Sequence, residues 1–211
     1  ATYEIRFADK LKSIFKGQQP EIIENLKYGK KENLFNQDKS RQAYTEAATP
    51  ILSSLITEAI TNARRLMDGK KQFGPEADQR SLAWLKTHIE WAALEFGEET
   101  AKLLSAKLTE GFALGESMDM LAGRVKDVIN FCSDVRSLRI ARTETIQASA
   151  QGAIEGFKDM GVEQLEFWAA LDERTCPSCM ALHGSKFKPD ESTGIITVHP
   201  SCRCTWLPVV D

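Results

Sequence analysis

The chain has 211 residues, enough for one domain or two modest ones, and 42% of them are apolar, too many for a disordered chain. Lys and Arg number 27 against 30 Asp and Glu, a net charge of −3, which excludes a strongly basic nucleic-acid coat but not a local basic patch. No apolar run approaches the roughly 18 residues a membrane span needs, and the opening residues lack the basic, apolar and small-residue succession of a secretory signal.

Three segments are expected: an arm with a short helix over residues 1–40, a helical domain over 41–161, and a small Cys/His-rich β module over 162–211. Within the arm, Ile5, Phe7, Leu11, Ile14 and Phe15 predict one short amphipathic helix that Gly17 and Pro20 end. The stretch around Lys27, Gly29, Lys30 and Lys31 reads as an exposed connector. Thr49-Pro50 reads as a helix start, because Thr can cap and Pro is tolerated in the first helical turn. Leu52, Leu55, Ile56, Ala59, Ala63, Leu66 and Met67 then recur at spacings of three and four until Gly69, and a turn follows at Gly74-Pro75.

Residues 77–113 carry Leu82, Leu85, Ile89, Ala93, Phe96, Leu103, Leu104, Leu108 and Phe112 at helical spacing, as one long helix or as two broken near Gly97. Gly111 and Gly115 close that pattern. A shorter helix with Met118, Leu121, Val125, Val128 and Ile129 begins behind Glu116-Ser117. Ser133 is placed as the cap of the last helix and Gly161 as its stop, with Val135, Leu138, Ile146, Ala150, Ala153, Phe157 and Met160 on the apolar face. Ala148, Ser149, Ala150, Gly152 and Ala153 fill its middle, and such small side chains let another backbone approach closely.

The period changes at Val162. Leu165, Phe167 and Ala169 alternate with Gln164, Glu166 and Trp168, and β-like runs recur at 195–198 and 205–210. The fold class expected is therefore mainly α: a bundle-like body with a small C-terminal β module resembling a zinc knuckle.

Four of the five cysteines lie in that module, which is unlike the even spread of a secreted disulfide scaffold and fits a reducing compartment. Cys176-Pro177-Ser178-Cys179 and His199-Pro200-Ser201-Cys202-Arg203-Cys204 present two half-sites of the donors that zinc takes in a tetrahedron. A module with so little core gains folding energy from such a staple. The candidates are Cys176, Cys179, His199, Cys202 and Cys204, five for four positions. Cys176 and Cys179 form one pair. The second is either His199 with Cys202 or Cys202 with Cys204, with His199 then an outer partner; His183 is a weaker candidate. Disulfides or free thiols are the competing readings, and Cys132 reads as a lone buried residue.

Arg139-Ile140-Ala141-Arg142-Thr143-Glu144, followed by Trp168, Asp172-Glu173-Arg174-Thr175-Cys176-Pro177-Ser178-Cys179, Leu182, Gly184 and the His199–Cys204 run, resembles the Mu F-like minor head proteins of tailed bacteriophages over roughly residues 115–210. His183 before Gly184 departs from that pattern. The resemblance implies a minor capsid protein in the virion, acting in head morphogenesis or DNA delivery inside the capsid at the portal vertex. Its partners would be the portal or major capsid protein, with assembly in the host cytoplasm. Structural roles are expected for Arg142, Glu144 and Asp172: Arg142 pairing with Asp172 or Glu173 to tie helix to knuckle, Thr143 bonding back to its own helix, Asp172 capping the turn that bears Cys176.

Zn2+ is expected as a structural ion, with no catalysis. Two other functions compete. Arg142-Thr143-Glu144 is similar to fragments of ADP-ribosyltransferase sites, although abundant cysteine ligands favour a closed metal site over a catalytic one. Lys186, Lys188, Arg174 and Arg203 with Trp168 and Trp206 offer charge and stacking for non-specific contact with packaged DNA.

Overall fold

The computed structural model describes residues 2–29, 34–67 and 76–210. The protein is mainly α-helical with a small C-terminal sheet. The helices are α1 (Thr2–Lys27), α2 (Gln37–Leu66), α3 (Glu76–Ala113), α4 (Met118–Phe131) and α5 (Ser137–Asp159), with a π-helical turn (Cys132–Arg136) joining the last two. The module adds β1 (Leu165–Trp168), α6 (Pro177–Leu182), β2 (Lys186–Phe187), α7 (Pro189–Ser192) and β3 (Thr205–Pro208). Among the described residues, no helix is long and apolar enough to cross a membrane. The chain divides into two compact units, one of residues 1–49 and 88–138, the other of residues 50–87 and 139–211.

In the first unit, Phe7, Phe15, Tyr44 and Phe96 form a ring cluster, with Phe15 and Phe96 centroids 4.7 Å apart. Arg136 lies over the Phe15 and Phe96 rings at 5.6 and 5.4 Å and donates to Thr100 Oγ1 at 2.6 Å and to the Phe96 carbonyl at 3.3 Å. Its charge is buried but neither unpaired nor without cation–π stabilisation. Arg124 grips both carboxylate oxygens of Glu116 at 2.6 and 2.7 Å and so fixes the turn between α3 and α4.

Several helix boundaries differ from expectation. α1 runs through Gly17 and Pro20, and α2 begins at Gln37 and runs through Pro50. Burial on both sides of each proline offsets its cost of about 3 kcal/mol: Phe15, Gln18, Ile22 and Leu26 around Pro20, Ala48, Ile51 and Leu52 around Pro50. α3 is continuous through Gly97, and Gly111 lies inside it; Gly115, at φ +68°, follows its end. Ser133 caps nothing. Its hydroxyl donates to the Asn130 carbonyl inside the helical run, and Val135 is 52% exposed. The extra residue of the π turn shifts the helix phase, so that Arg136 takes the inward position. Lys30, Lys31, Gly69 and the Gly74-Pro75 turn lie outside the described residues.

Other signals read in the sequence are realised. Ser117 caps α4 by accepting from the Met120 N–H at 3.3 Å. After α5, Gly161 takes φ +76°, its N–H bonds to the Lys158 carbonyl, and the Val162 N–H reaches back to Phe157. That is a Schellman closure, which needs a left-handed residue at this point.

In the second unit, α5 packs on α2 by close backbone approach. A Cβ on Gly152 would lie 2.7 Å from the Ile56 carbonyl oxygen, and one on Gly156 2.7 Å from Ala63 Cβ. Around this contact Arg64 bonds to Asp159 at 2.7 Å, while Arg80 bonds to Glu155 at 2.6 Å and to Asp159 at 2.9 Å. The sheet order is β2-β1-β3, all antiparallel, with Leu165 opposite Phe187 and Pro208, and Phe167 opposite Trp206. Leu165, Phe167 and Trp206 point inward with Ile154 and Phe157 of α5. The run at 195–198 is irregular and not a strand, although Ile196 is buried.

Candidate metal centre

The sheet register places the centre. Trp168 at the end of β1 pairs with Thr205 at the start of β3. The segment leaving β1 and the segment entering β3 therefore meet at one end of the sheet, and these two segments carry the cysteines. On the first, Asp172 shapes the approach. Its Oδ1 accepts from the Arg174 N–H at 3.0 Å, and the Thr175 N–H donates to the Asp172 carbonyl at 3.0 Å. Cys176 then caps the short α6, with Pro177 in its first turn, and the Cys179 N–H donates to Cys176 Sγ at 3.3 Å. A backbone N–H turned toward sulfur is what a knuckle of two Cys separated by two residues provides.

On the second segment, the Cys202 N–H closes a turn onto the His199 carbonyl at 3.1 Å, and Ser201 adopts φ +61°. His199 Nδ1 lies 2.9 Å from the Pro200 carbonyl. A carbonyl only accepts, so Nδ1 carries the proton and Nε2 presents its lone pair toward Cys179 Sγ, 3.3 Å away. Cys179 is the hinge of the cluster. Its sulfur lies within 4.8 Å of the ligand atoms of Cys176 and His199 in one group and of Cys202 and Cys204 in another. All five cysteines are free thiols, and Cys132 is buried far along the chain in the π turn.

The electrostatics suit a cation. Burial, then the neighbouring Cys176 and Cys204 thiols, push the Cys179 thiol well above the usual range, and burial with Cys202 pushes Cys204 up to about 11. The Cys179 N–H instead holds the Cys176 thiol down. Clustered thiolates repel one another in a partly dry site, and a divalent ion removes that repulsion while taking the donors. Four sulfurs and an imidazole together make a donor set that could hold a metal ion.

Asp172 finds a charge partner within the module itself. Arg203 grips it, with Nη2 2.6 Å from Oδ1 and Nη1 on Oδ2, which holds its carboxyl well below the usual carboxylate range. Both residues belong to the module, so the fork is shorter-range than one reaching to α5. Arg142 is exposed and Glu144 buried on α5. A tie from α5 to the second ligand turn runs through Thr143, for which the sequence suggests only a bond to its own helix. Its hydroxyl donates to the Arg139 carbonyl at 2.8 Å and accepts from the Ser201 N–H at 3.0 Å. His183 stands outside the thiol groups. Its Nδ1 accepts from the Ala169 N–H at 3.3 Å and its ring meets Trp168 edge-on.

Helices leading into a small antiparallel sheet whose end gathers four cysteines and a histidine define a helical protein with a C-terminal knuckle module. The model of the family described as Phage Mu protein F like protein matches residues 102–207, half of the chain, from within α3 to β3. The chain belongs to that family. No curated protein and no solved structure matches it significantly.

Proposed function

We propose that the chain is a minor head protein of a tailed phage, acting in head morphogenesis or DNA delivery at the portal vertex, without catalysis. The observation that carries the reading is the family match over α4, α5 and the module, which is the part of the chain that holds the Cys/His cluster. The helices dock on the portal or major capsid protein, and the module presents a second recognition surface, held in shape by a structural zinc-type ion. Assembly takes place in the host cytoplasm, and the protein ends inside the capsid.

The donor set argues for structure over reaction. A catalytic zinc keeps one position open for water, whereas here more protein donors crowd the site than a tetrahedral ion can use. Contact with packaged DNA is the weaker alternative, because Trp206 is buried against Phe167 and Phe187 and Arg203 is held by Asp172.

Immunodetection in purified procapsids and mature heads tests the role: the protein is expected in at least one, and absence from both ends the reading. Glu144→Gln, which keeps the shape of the Arg142-Thr143-Glu144 segment and removes its carboxylate, is expected to leave particle yield unchanged. A large loss of yield from a folded variant would instead indicate a chemical role.

A further inference from the structure

Five donors compete for four positions, and the geometry points to Cys176, Cys179, His199 and Cys204 as the ligands, with Cys202 left outside. This inference rests on the metal reading proposed above and assigns its ligands. The two sulfur-bearing segments line a half-open cavity of about 30 Å3. Its walls include Cys176, Cys179, His199 and Cys204 but not Cys202. That volume holds one small ion, since a single water needs roughly 10–15 Å3 by such a measure.

Three further observations fix the roles. His199 is oriented from behind by the Pro200 carbonyl, so the nitrogen that faces the sulfurs is the one free to ligate. Cys202 does not reach the cavity wall, and its sulfur lies 3.9 Å from that of Cys179. From there its sulfur pairs with that of Cys179, an outer-sphere contact to a ligand. Its backbone N–H, meanwhile, closes the turn that carries His199. The site is thus three thiolates and one imidazole, and the fifth donor supports a ligand without being one.

Cobalt(II) titration of the full chain, stripped of metal and kept reduced, tests the assignment. Thiolate-to-cobalt charge-transfer absorbance scales with the number of coordinated sulfurs. Cys202→Ser and Cys202→Ala are expected to retain the wild-type intensity, whereas Cys204→Ser loses about a third of it, one thiolate of three. Loss of a third in the Cys202 variants, with Cys204→Ser unchanged or equally affected, overturns the assignment and leaves the metal reading standing. X-ray absorption of the zinc-loaded wild type needs no variant to fold: three sulfurs at about 2.3 Å and one nitrogen at about 2.0 Å are expected, and two or four sulfurs overturn it. If wild type binds neither cobalt nor zinc, the metal reading itself is wrong and the ligand assignment falls with it.

Discussion

The Thr143 hydroxyl satisfies one acceptor on its own helix and one donor on the ligand turn, so the second turn of α5 and the position of His199 are linked through a single oxygen. The donor it satisfies belongs to Ser201, which holds a left-handed conformation unusual for a residue with a Cβ. Thr143→Val keeps the volume and removes the oxygen. Such a loss costs about 1 kcal/mol, and we expect a lower melting temperature that Thr143→Ser restores; equal behaviour of the two variants would remove the link. Asp172 supplies a pH dependence. Arg203 depresses its folded-state pKa, so its stabilisation is complete above the ordinary carboxylate value near 4 and disappears as pH falls toward the folded value. Asp172→Asn should therefore melt below wild type at about pH 7, with the gap narrowing steadily below about pH 4. A gap that does not change with pH would place the effect elsewhere. The ligand candidates are legible from spacing alone because tetrahedral ligation fixes residue type and separation together. The partner of Asp172 is not, since charge pairs carry no spacing rule and Arg203 looks like any surface arginine.

Helix elements repeat that contrast. The start of α4 and the end of α5 are legible because a cap is a local hydrogen-bond requirement: Ser117 supplies an acceptor and Gly161 a left-handed φ. Pro20, Pro50 and Ser133 mislead because their local preferences are outweighed by burial several residues away, which only the assembled fold supplies. Arg136 is illegible for a related reason. A charged residue at a core position reads as surface until the ring cluster beneath it is known. The glycines of α4 and α5 make the element argument testable. In an open helix Gly→Ala stabilises by about 0.5–1 kcal/mol, and a Cβ on Gly123 of α4 would meet nothing within 4 Å. At Gly152 the same methyl meets the Ile56 carbonyl and Ala59 Cβ, backbone and stub atoms that cannot swing aside, and overpacking costs about 1–3 kcal/mol. Thermal melts should show Gly123→Ala raised and Gly152→Ala lowered; a rise in both would mean that α5 stands off α2.

For the whole molecule, the consequence of a metal brace depends on what shares a core with it. Cys179, Cys202 and Cys204 belong to the same apolar cluster as Phe167, Trp206, Ile154 and Phe157, so the centre is part of the core of the second unit. The core of the first unit, the Phe7, Phe15, Tyr44 and Phe96 rings with Arg136 over them, is built from other residues entirely. Binding energy at a metal site is folding energy for the residues it closes, because the unfolded chain has no site to offer. Removal of metal by a chelator under reducing conditions should then act unevenly. Amide hydrogen exchange is expected to accelerate across residues 162–208 first, then along the face of α5 that carries Ile154 and Phe157. Protection in α1 and α4 should persist. Trp206, buried in the native module, gives an independent optical signal, a red shift of its emission as the sheet opens. Far-UV circular dichroism should change little, since the long helices carry most of that signal. Equal loss of protection in both units would show that the ion stabilises the chain as one cooperative body, and unchanged protection in residues 162–208 would show that the sulfur-bearing turns hold together without it.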